Sequence, residues 1–468
     1  MKFLFTNQNI PTELPFLHKS GFRTIPTGQN NYNLIINSTD CIYENESHYS
    51  ILDGYLKDLE IDINNPELQT FSALKQIETS WPAPSNITGS FSGFLLNKKN
   101  SQIRIFNDVI GTYPIYYLFR DNSIFISNSL ILIGGISKEE YDETGIFQRA
   151  VGPHFINIGS RTIIKNCKRL LPGECIYLSP NGNISRFYDN ELYSSVSKKE
   201  EPSTSEFFSA LKEEIKYILA KSEKINIAIS GGLDSRIILG GIPEEKKIYG
   251  HTYGKQNNYE NLIAQKLIRL KSGRHFSYSD KKLYFPEKNV FTKYIINTEA
   301  VNFCSWLEIL ENQEKNKNRE YLLIGDMCEA LPGRNIKAFS NPKDRNKNFY
   351  NYIIKQKEYK FHKTTQKSIK EWKKKSREYF LSWHGDNWFK RLDLENKKNE
   401  ITEDSISDLE EIFGRIEEHK IPYIELFDEI FGWFTKSRTL MSQQILSCNH
   451  SFFAISPTMS NRILKISS

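Results

Sequence analysis

The sequence predicts a chain in two parts: a strand-rich α+β half up to about residue 193, then an α/β half with a parallel sheet and a helical C-terminal part. Three observations lead there. Short β-type runs separated by turn residues fill the first part. A polar, charged stretch containing Pro202 follows, over residues 194–205, and reads as a linker. Beyond it strands alternate with helices, the pattern of a parallel sheet.

In order, the β-type runs are Asn33-Leu-Ile-Ile, Ser90-Phe-Ser-Gly-Phe-Leu-Leu, Gln102-Ile-Arg-Ile-Phe, Ile115-Tyr-Tyr-Leu-Phe and Ser123-Ile-Phe-Ile-Ser. Turn residues at Asn97 to Asn100, Arg120-Asp121-Asn122 and Pro180 to Asn183 divide the first part, as expected of antiparallel pairing. After the linker, Phe207, Phe208, Leu211, Ile215, Ile218 and Leu219 mark one helix face. Ile225-Asn-Ile-Ala-Ile predicts a buried strand, followed by a Gly-rich turn and a second helix. Ile248 to Tyr253 predicts another strand, and Glu260 to Leu270 another helix. From about Pro342 the chain turns helical and polarised. Residues 341–400 carry 17 Lys/Arg against eight Asp/Glu, and residues 401–430 carry two against ten. Two readings stay open: helical faces that pair with each other, or a basic lip for an anionic substrate or partner.

Composition excludes several classes. With 468 residues, 39% of them hydrophobic and 13% aromatic, the chain can bury real cores. The apolar run around Leu130 to Ile133 is far short of the ~20 residues of a membrane span. The N-terminus turns polar too early for an export signal, so a cytoplasmic protein is expected. The six cysteines (Cys41, Cys167, Cys175, Cys304, Cys328 and Cys448) include no CxxC pair and read as reduced thiols. The triplet Asn86-Ile87-Thr88 is then a chance glycosylation match. A net charge of +6 is mild and does not indicate nucleic acid.

The informative segment is Ser230-Gly231-Gly232-Leu233-Asp234-Ser235, between a strand and a helix. A Ser and two glycines let backbone N–H groups face an anion, and a helix N-terminus adds partial positive charge. A carboxylate at Asp234 fits such a cradle when a divalent cation stands between it and the phosphate. Neither GxxxxGK[ST] nor GxGxxG is present. The bland reading is a Gly-Gly turn with Asp capping the next helix.

The string resembles the pyrophosphate (PP) loop of the ATP pyrophosphatase superfamily, which cleaves ATP to AMP and pyrophosphate. Within it, Asn107-Asp108-Val109-Ile110-Gly111-Thr112-Tyr113-Pro114-Ile115-Tyr116-Tyr117 is similar to the asparagine synthetase signature Arg-Asp-x-x-Gly-x-x-Pro-Leu-Tyr-Tyr. Ile126-Ser127-Asn128-Ser129 resembles the Ala-Ser-Glu strand that follows it. Leu171-Pro172-Gly173-Glu174 and Arg186-Phe187-Tyr188-Asp189 resemble the segment before the family's linker. Thr252-Tyr253-Gly254 and Ala264 to His275 resemble the strand–helix unit after the loop.

The resemblance implies a glutaminase-type, Ntn-hydrolase-like sandwich over residues 1–193, the linker at 194–205, and a PP-loop, asparagine synthetase-like domain over 206–468. It implies ATP and pyrophosphate against Ala228, Ser230, Gly231, Gly232, Leu233, Asp234 and Ser235, with Thr252, Tyr253, Ile324 and Gly325 beside them. Ile324-Gly325-Asp326-Met327-Cys328-Glu329 takes the place of the family's Ser-Gly-Glu-Gly-x-Asp-Glu. Asp326 then falls where an acid sits near the attacking amine, and Asp234 and Glu329 fall where Mg²⁺ is held. The alternative is that Asp326 and Glu329 are ordinary surface acids.

Two departures shape the expected activity. Glutamine-dependent members expose an N-terminal Cys nucleophile; here the second residue is Lys2 and the first cysteine is Cys41. No glutaminase chemistry is expected, and the amine should already sit on the substrate, as in β-lactam synthetases and lasso-peptide macrolactam cyclases. At the other end, Ile455-Ser456-Pro457-Thr458 resembles a segment after which the family carries a catalytic lysine, and the sequence stops at Ser468. Lys436 and Arg438 are the nearest cationic candidates, or ordinary helix-surface charges. The expected function is ATP-dependent amide formation through an acyl-adenylate, with ATP and Mg²⁺ required. The leading product is a peptide macrolactam, from a precursor peptide prepared by a partner protease. Amidation of a sugar acid or small metabolite, and a non-catalytic nucleotide-binding scaffold, are the alternatives.

Overall fold

The computed structural model describes residues 1–10, 21–27, 32–57, 65–80, 87–189, 204–220, 222–278, 320–326, 328, 349–355, 361–383, 387–419 and 421–467, with positions 298, 347, 357 and 385 besides. Among the described residues its N-terminal half holds twelve strands: β1 (Phe3–Thr6), β2 (Arg23–Pro26), β3 (Asn33–Ile36), β4 (Ile42–Glu44), β5 (His48–Leu56), β6 (Gly89–Asn97), β7 (Gln102–Asn107), β8 (Tyr116–Arg120), β9 (Ser123–Ser127), β10 (Lys168–Arg169), β11 (Glu174–Leu178) and β12 (Ile184–Tyr188). They form two antiparallel sheets, ordered β10-β8-β9-β1-β3-β2 and β12-β11-β7-β6-β5-β4.

The sheets stack face to face. Phe3, Phe5, Leu34 and Ile36 of one meet Tyr49, Ile51, Phe94, Leu96, Ile103 and Ile105 of the other in a single buried cluster. Because strand residues alternate between faces, Leu4 and Ile35 point the other way, against helix α2 (Leu130–Ser137). Helix α1 (Pro66–Ser80) covers the far sheet through Ala73, Leu74 and Ile77, against Leu52, Phe91 and Leu95. The half is thus layered helix, sheet, sheet, helix, which is why Phe3, Leu4 and Phe5 are all buried.

The signature-like segment after β7 is a turn gathered around one carboxylate. Asp108 accepts from the backbone N–H groups of Phe91, Ile110 and Gly111, each at 2.9 Å. Burial pushes its pKa up to about 6, against the lowering effect of those amides.

Among the described residues the second half is built on five parallel strands: β13 (Lys224–Ala228), β14 (Lys247–Tyr253), β15 (Arg274–Tyr278), β16 (Tyr321–Leu323) and β17 (Phe453–Ile455). Their order is β15-β14-β13-β16-β17. Ile225, Ile227 and Ile248 pack against α4 (Thr204–Ile218), α5 (Leu233–Gly241) and α6 (Tyr259–Leu270). The region expected to be helical also supplies β17, whose Ala454 and Ile455 are buried beside β16. The chain is therefore a mixed α/β protein with antiparallel sheets, a parallel sheet and helices. Among the described residues, no helix is long and apolar enough to cross a membrane. Cys41, Cys167, Cys175, Cys328 and Cys448 are unbridged, and Cys304 lies outside the described residues.

The polarised segments pair. Helix α7 (Gln366–Phe380) lies along α8 (Lys398–Glu417), with Lys373 2.6 Å from Glu417 and Arg377 Nε 3.0 Å from Glu410. Behind these charges Trp372 packs edge-on against Phe413, Phe427 and Phe431, and its indole N–H reaches Asp428 at 2.7 Å. The same α8 ties the halves together. Arg161 contacts Asp408 at 2.6 Å, and Gln148 of helix α3 (Glu143–Val151) donates to Asp408 at 2.8 Å. Most of the segment proposed as a linker, with residues 190–203, lies outside the described residues, and α4 starts at Thr204.

Candidate functional site

The strand order fixes where a ligand can sit. From β13 the chain steps outward through β14 to β15, and β16 then pairs on the other side of β13. Ligands of open parallel sheets bind at such a reversal, outside the carboxyl ends of the strands. Those ends carry the two segments singled out in the sequence, Ser230–Ser235 after β13 and Gly325–Asp326 after β16.

The loop is anchored at its base and bare at its tip. Ile229 N–H donates to the His251 carbonyl at 3.0 Å, and the Thr252 hydroxyl donates to the Ile229 carbonyl at 2.7 Å. The Ser230 N–H donates to the Ser235 hydroxyl at 3.2 Å, and the Gly232 N–H to the Ser230 hydroxyl at 3.1 Å. Gly232 is the N-cap of α5 with φ −74° and ψ 159°, and no side chain caps the helix. Neither loop glycine needs positive φ, so their contribution is bareness. A Cβ on Gly231 would stand 3.3 Å from Ile263, and one on Gly232 would stand 3.1 Å from the Ser230 hydroxyl oxygen. Apart from the Ser230 hydroxyl on the Gly232 N–H, no N-cap side chain covers the helix start, an arrangement suited to anion binding.

Gly325 closes the site from the other side. A Cβ there would lie 2.9 Å from the Ser235 nitrogen and 3.0 Å from the Asp234 carbonyl carbon, both backbone. Only a residue without a side chain lets the end of β16 approach the first turn of α5 so closely.

Between these walls is a cleft of about 210 Å³. Ala228, Ser230, Gly232, Asp234, Ser235, Thr252, Tyr253, Gly325 and Asp326 line it, so nine residues proposed from the sequence converge there. Gly231 stands on the loop beside Glu260 and Ile263. Leu233 is 68% exposed at the start of α5. Ile324 is buried, its N–H donating to the Ile455 carbonyl at 3.0 Å. Glu329 lies outside the described residues.

The two cations fare differently from expectation. Lys436 is half-buried in the π-helix Trp433–Met441 and does not line the cleft. Arg438 requires a correction: it is neither a cleft residue nor a surface charge. It is 1% exposed, and its guanidinium donates to the carbonyls of Phe434 at 2.7 Å, Leu170 at 3.0 Å, and Gly159. Arg169 returns a bond to the Arg438 carbonyl at 2.7 Å. Three backbone acceptors use its fork, and two of them belong to the N-terminal half.

Sequence reasoning missed His251, Glu260 and Gln444 on the cleft wall. His251 precedes the named Thr252 on β14, and Glu260 lies in the first turn of α6, where the sequence placed a helix start and no site residue. Gln444 comes from helix α9 (Ser442–Cys448), and no local signal announces it. The His251 ring is held by Asn226 at 2.8 Å and Tyr278 at 3.1 Å, and burial lowers its pKa to about 4. It is therefore neutral at pH 7 and brings hydrogen bonding without charge. Cys448 is buried, and burial together with the nearby Asp326 charge pushes its thiol well up, which makes it unreactive.

Asp234, Glu260 and Asp326 give the cleft three carboxylates, and no Lys or Arg stands among the described residues lining it. A polyphosphate entering this site needs a hard divalent cation to offset them. Among the described residues no three acidic, His or Cys side chains gather into a ready-made metal site.

Around the N-terminus, the Lys2 ammonium is buried and donates to the Asn128 carbonyl at 3.1 Å. The Asn128 amide reaches Asp53 at 2.6 Å.

No family model and no curated protein matches the chain significantly. Among solved structures it is similar to the allosteric regulatory enzyme of purine biosynthesis, at 8% identity and a TM-score of 0.26, over 60% of this chain and 80% of that one. It is also similar to glutamine phosphoribosylpyrophosphate amidotransferase from B. subtilis complexed with ADP and GMP, at 8% identity and a TM-score of 0.25, over 62% and 70%. At these TM-scores the likeness carries no argument about this chain.

Proposed function

We propose that the protein is an asparagine synthetase-like ligase that forms an amide bond with ATP, releasing AMP and pyrophosphate. The observation that carries this reading is the convergence of the Ser230–Ser235 loop, the uncapped start of α5 and the Gly325–Asp326 turn on one cleft at the sheet's switch point. The N-terminal half is read as an Ntn-hydrolase-like sandwich serving as a scaffold, and the second half as a PP-loop domain.

In this reading the amides at the start of α5 and the Ser230 and Ser235 hydroxyls hold the β- and γ-phosphates as one leaving anion. Asp234, with Glu329, would hold Mg²⁺, which offsets the phosphate charge and strengthens the leaving group. A substrate carboxylate attacks the α-phosphorus, the α–β bridge breaks and pyrophosphate departs. The substrate's own amine then attacks the acyl carbon, and AMP leaves. Asp326, on the wall facing the loop, orients the amine and takes its proton. A peptide macrolactam is the product class we favour, ahead of an amidated sugar acid or small metabolite.

ATP labelled at the α-phosphate tests the reading. Incubation with precursor-type peptides and small acids bearing amines should give substrate-dependent labelled AMP. Labelled ADP would overturn the mechanism. Nucleotide binding without turnover across the panel would favour a nucleotide-binding scaffold.

A further inference from the structure

We infer that Arg236 is a positioning residue that clamps the pyrophosphate loop from behind; the inference rests on the nucleotide reading of the cleft. Arg236 is exposed and does not line the cleft. Its side chain leans back toward the helix start, as helical side chains do. There Nε donates to the Gly232 carbonyl and the terminal Nη2 to the Gly231 carbonyl, each at 3.1 Å.

These two carbonyls belong to the peptide groups on either side of Gly232. A trans peptide is planar, with its C=O and N–H pointing in opposite directions. Holding the oxygens of Gly231 and Gly232 therefore turns the N–H groups of Gly232 and Leu233 to the opposite side; the Gly232 carbonyl also accepts from the Ser235 hydroxyl at 3.4 Å. The Ser230 hydroxyl takes the first of these at 3.1 Å, and the second belongs to the uncapped first turn of α5.

Two adjacent glycines have more backbone freedom than any other pair, and they lack side chains to restrain themselves. The Ser230 and Ser235 hydroxyls supply single bonds to this backbone, and the planar guanidinium, with donors at fixed spacing, adds a hold on two carbonyls at once. A lysine ammonium keeps the charge but cannot reproduce that fork.

The test uses the full chain, with Mg-pyrophosphate and Mg-ATP as calorimetric probes. Arg236→Lys and Arg236→Gln should both bind pyrophosphate roughly five- to tenfold more weakly, since each loses the two-point, charge-assisted contact. Amide hydrogen exchange over residues 231–234 should quicken in both variants, while the central strands keep their protection. If Arg236→Lys binds as tightly as the wild type and protects the loop equally, the clamp is overturned and the nucleotide reading stands. If the wild-type protein binds neither probe, the nucleotide reading itself falls and takes the clamp with it.

Discussion

Replacing Arg438 separates a structural role from a chemical one. Arg438→Met keeps most of the side-chain volume and removes every donor. The carbonyls of Gly159 and Leu170 then lose their guanidinium partner where Arg438 itself was 1% exposed. A hydrogen bond to a charged group is worth about 1.5–3 kcal/mol, and two of them cross between the halves. Arg438→Met leaves neutral carbonyls rather than a stranded charge, so losing these two bonds should cost roughly 3–6 kcal/mol. Urea m-values are about 1–3 kcal/mol/M for small proteins and grow with chain length, so the unfolding midpoint should fall by up to about 1 M. Urea unfolding followed by tryptophan fluorescence suits the measurement, because Trp372 and Trp433 lie in the helical core that carries Arg438. The nucleotide affinity of the remaining folded protein should stay near the wild-type value. An unchanged midpoint together with lost turnover would refute this reasoning and return Arg438 to the chemistry.

Three further outcomes follow from the same geometry. Gly325→Ala must push β16 away from the start of α5, because its Cβ meets backbone at 2.9 and 3.0 Å; overpacking of this kind costs about 1–3 kcal/mol. It should lower the melting temperature and Mg-ATP affinity together, and an unaffected affinity by calorimetry would disprove the close approach. Asp234→Asn keeps size but removes the charge assigned to the cation, so Mg-ATP should bind about tenfold more weakly; a folded variant with wild-type affinity would contradict the metal role. The third concerns Glu174, which burial holds at a pKa of about 7 against an ordinary 4.5. Its folded-state pKa is raised, so the folded state binds the proton more tightly, and stability is lost as pH rises from about 4.5 to 7. Glu174→Gln should abolish that loss, worth about 3 kcal/mol for a single site. Unfolding curves of the two proteins that stay parallel between pH 4.5 and 7.5 would exclude this assignment.

What the sequence determined by itself was local. Asn33–Ile36 and Ser123–Ser127 were legible as strands because side-chain alternation and flanking turns act over a few residues. The change of period after residue 206 and the bare Ser-Gly-Gly loop before a helix were legible for the same reason. Strand β5 was missed although it pairs with β6 through nine residues. Both faces of its sheet are covered, so its burial runs almost unbroken and the period-two signal disappears. The paired charges of α7 and α8 could be counted in the sequence, but whether they met each other or a ligand was a question of packing. The cleft depended on packing even more. Asp326 and Gln444 reach the Ser230–Ser235 loop only because β16 lies beside β13 and α9 packs nearby, and Gly325 matters only because a helix start passes within 3 Å of where a side chain would stand. Arg438 shows the limit most plainly. A cation near a proposed site is the same letter whether it faces solvent, substrate or three backbone carbonyls, and the long-range packing of the chain decided which.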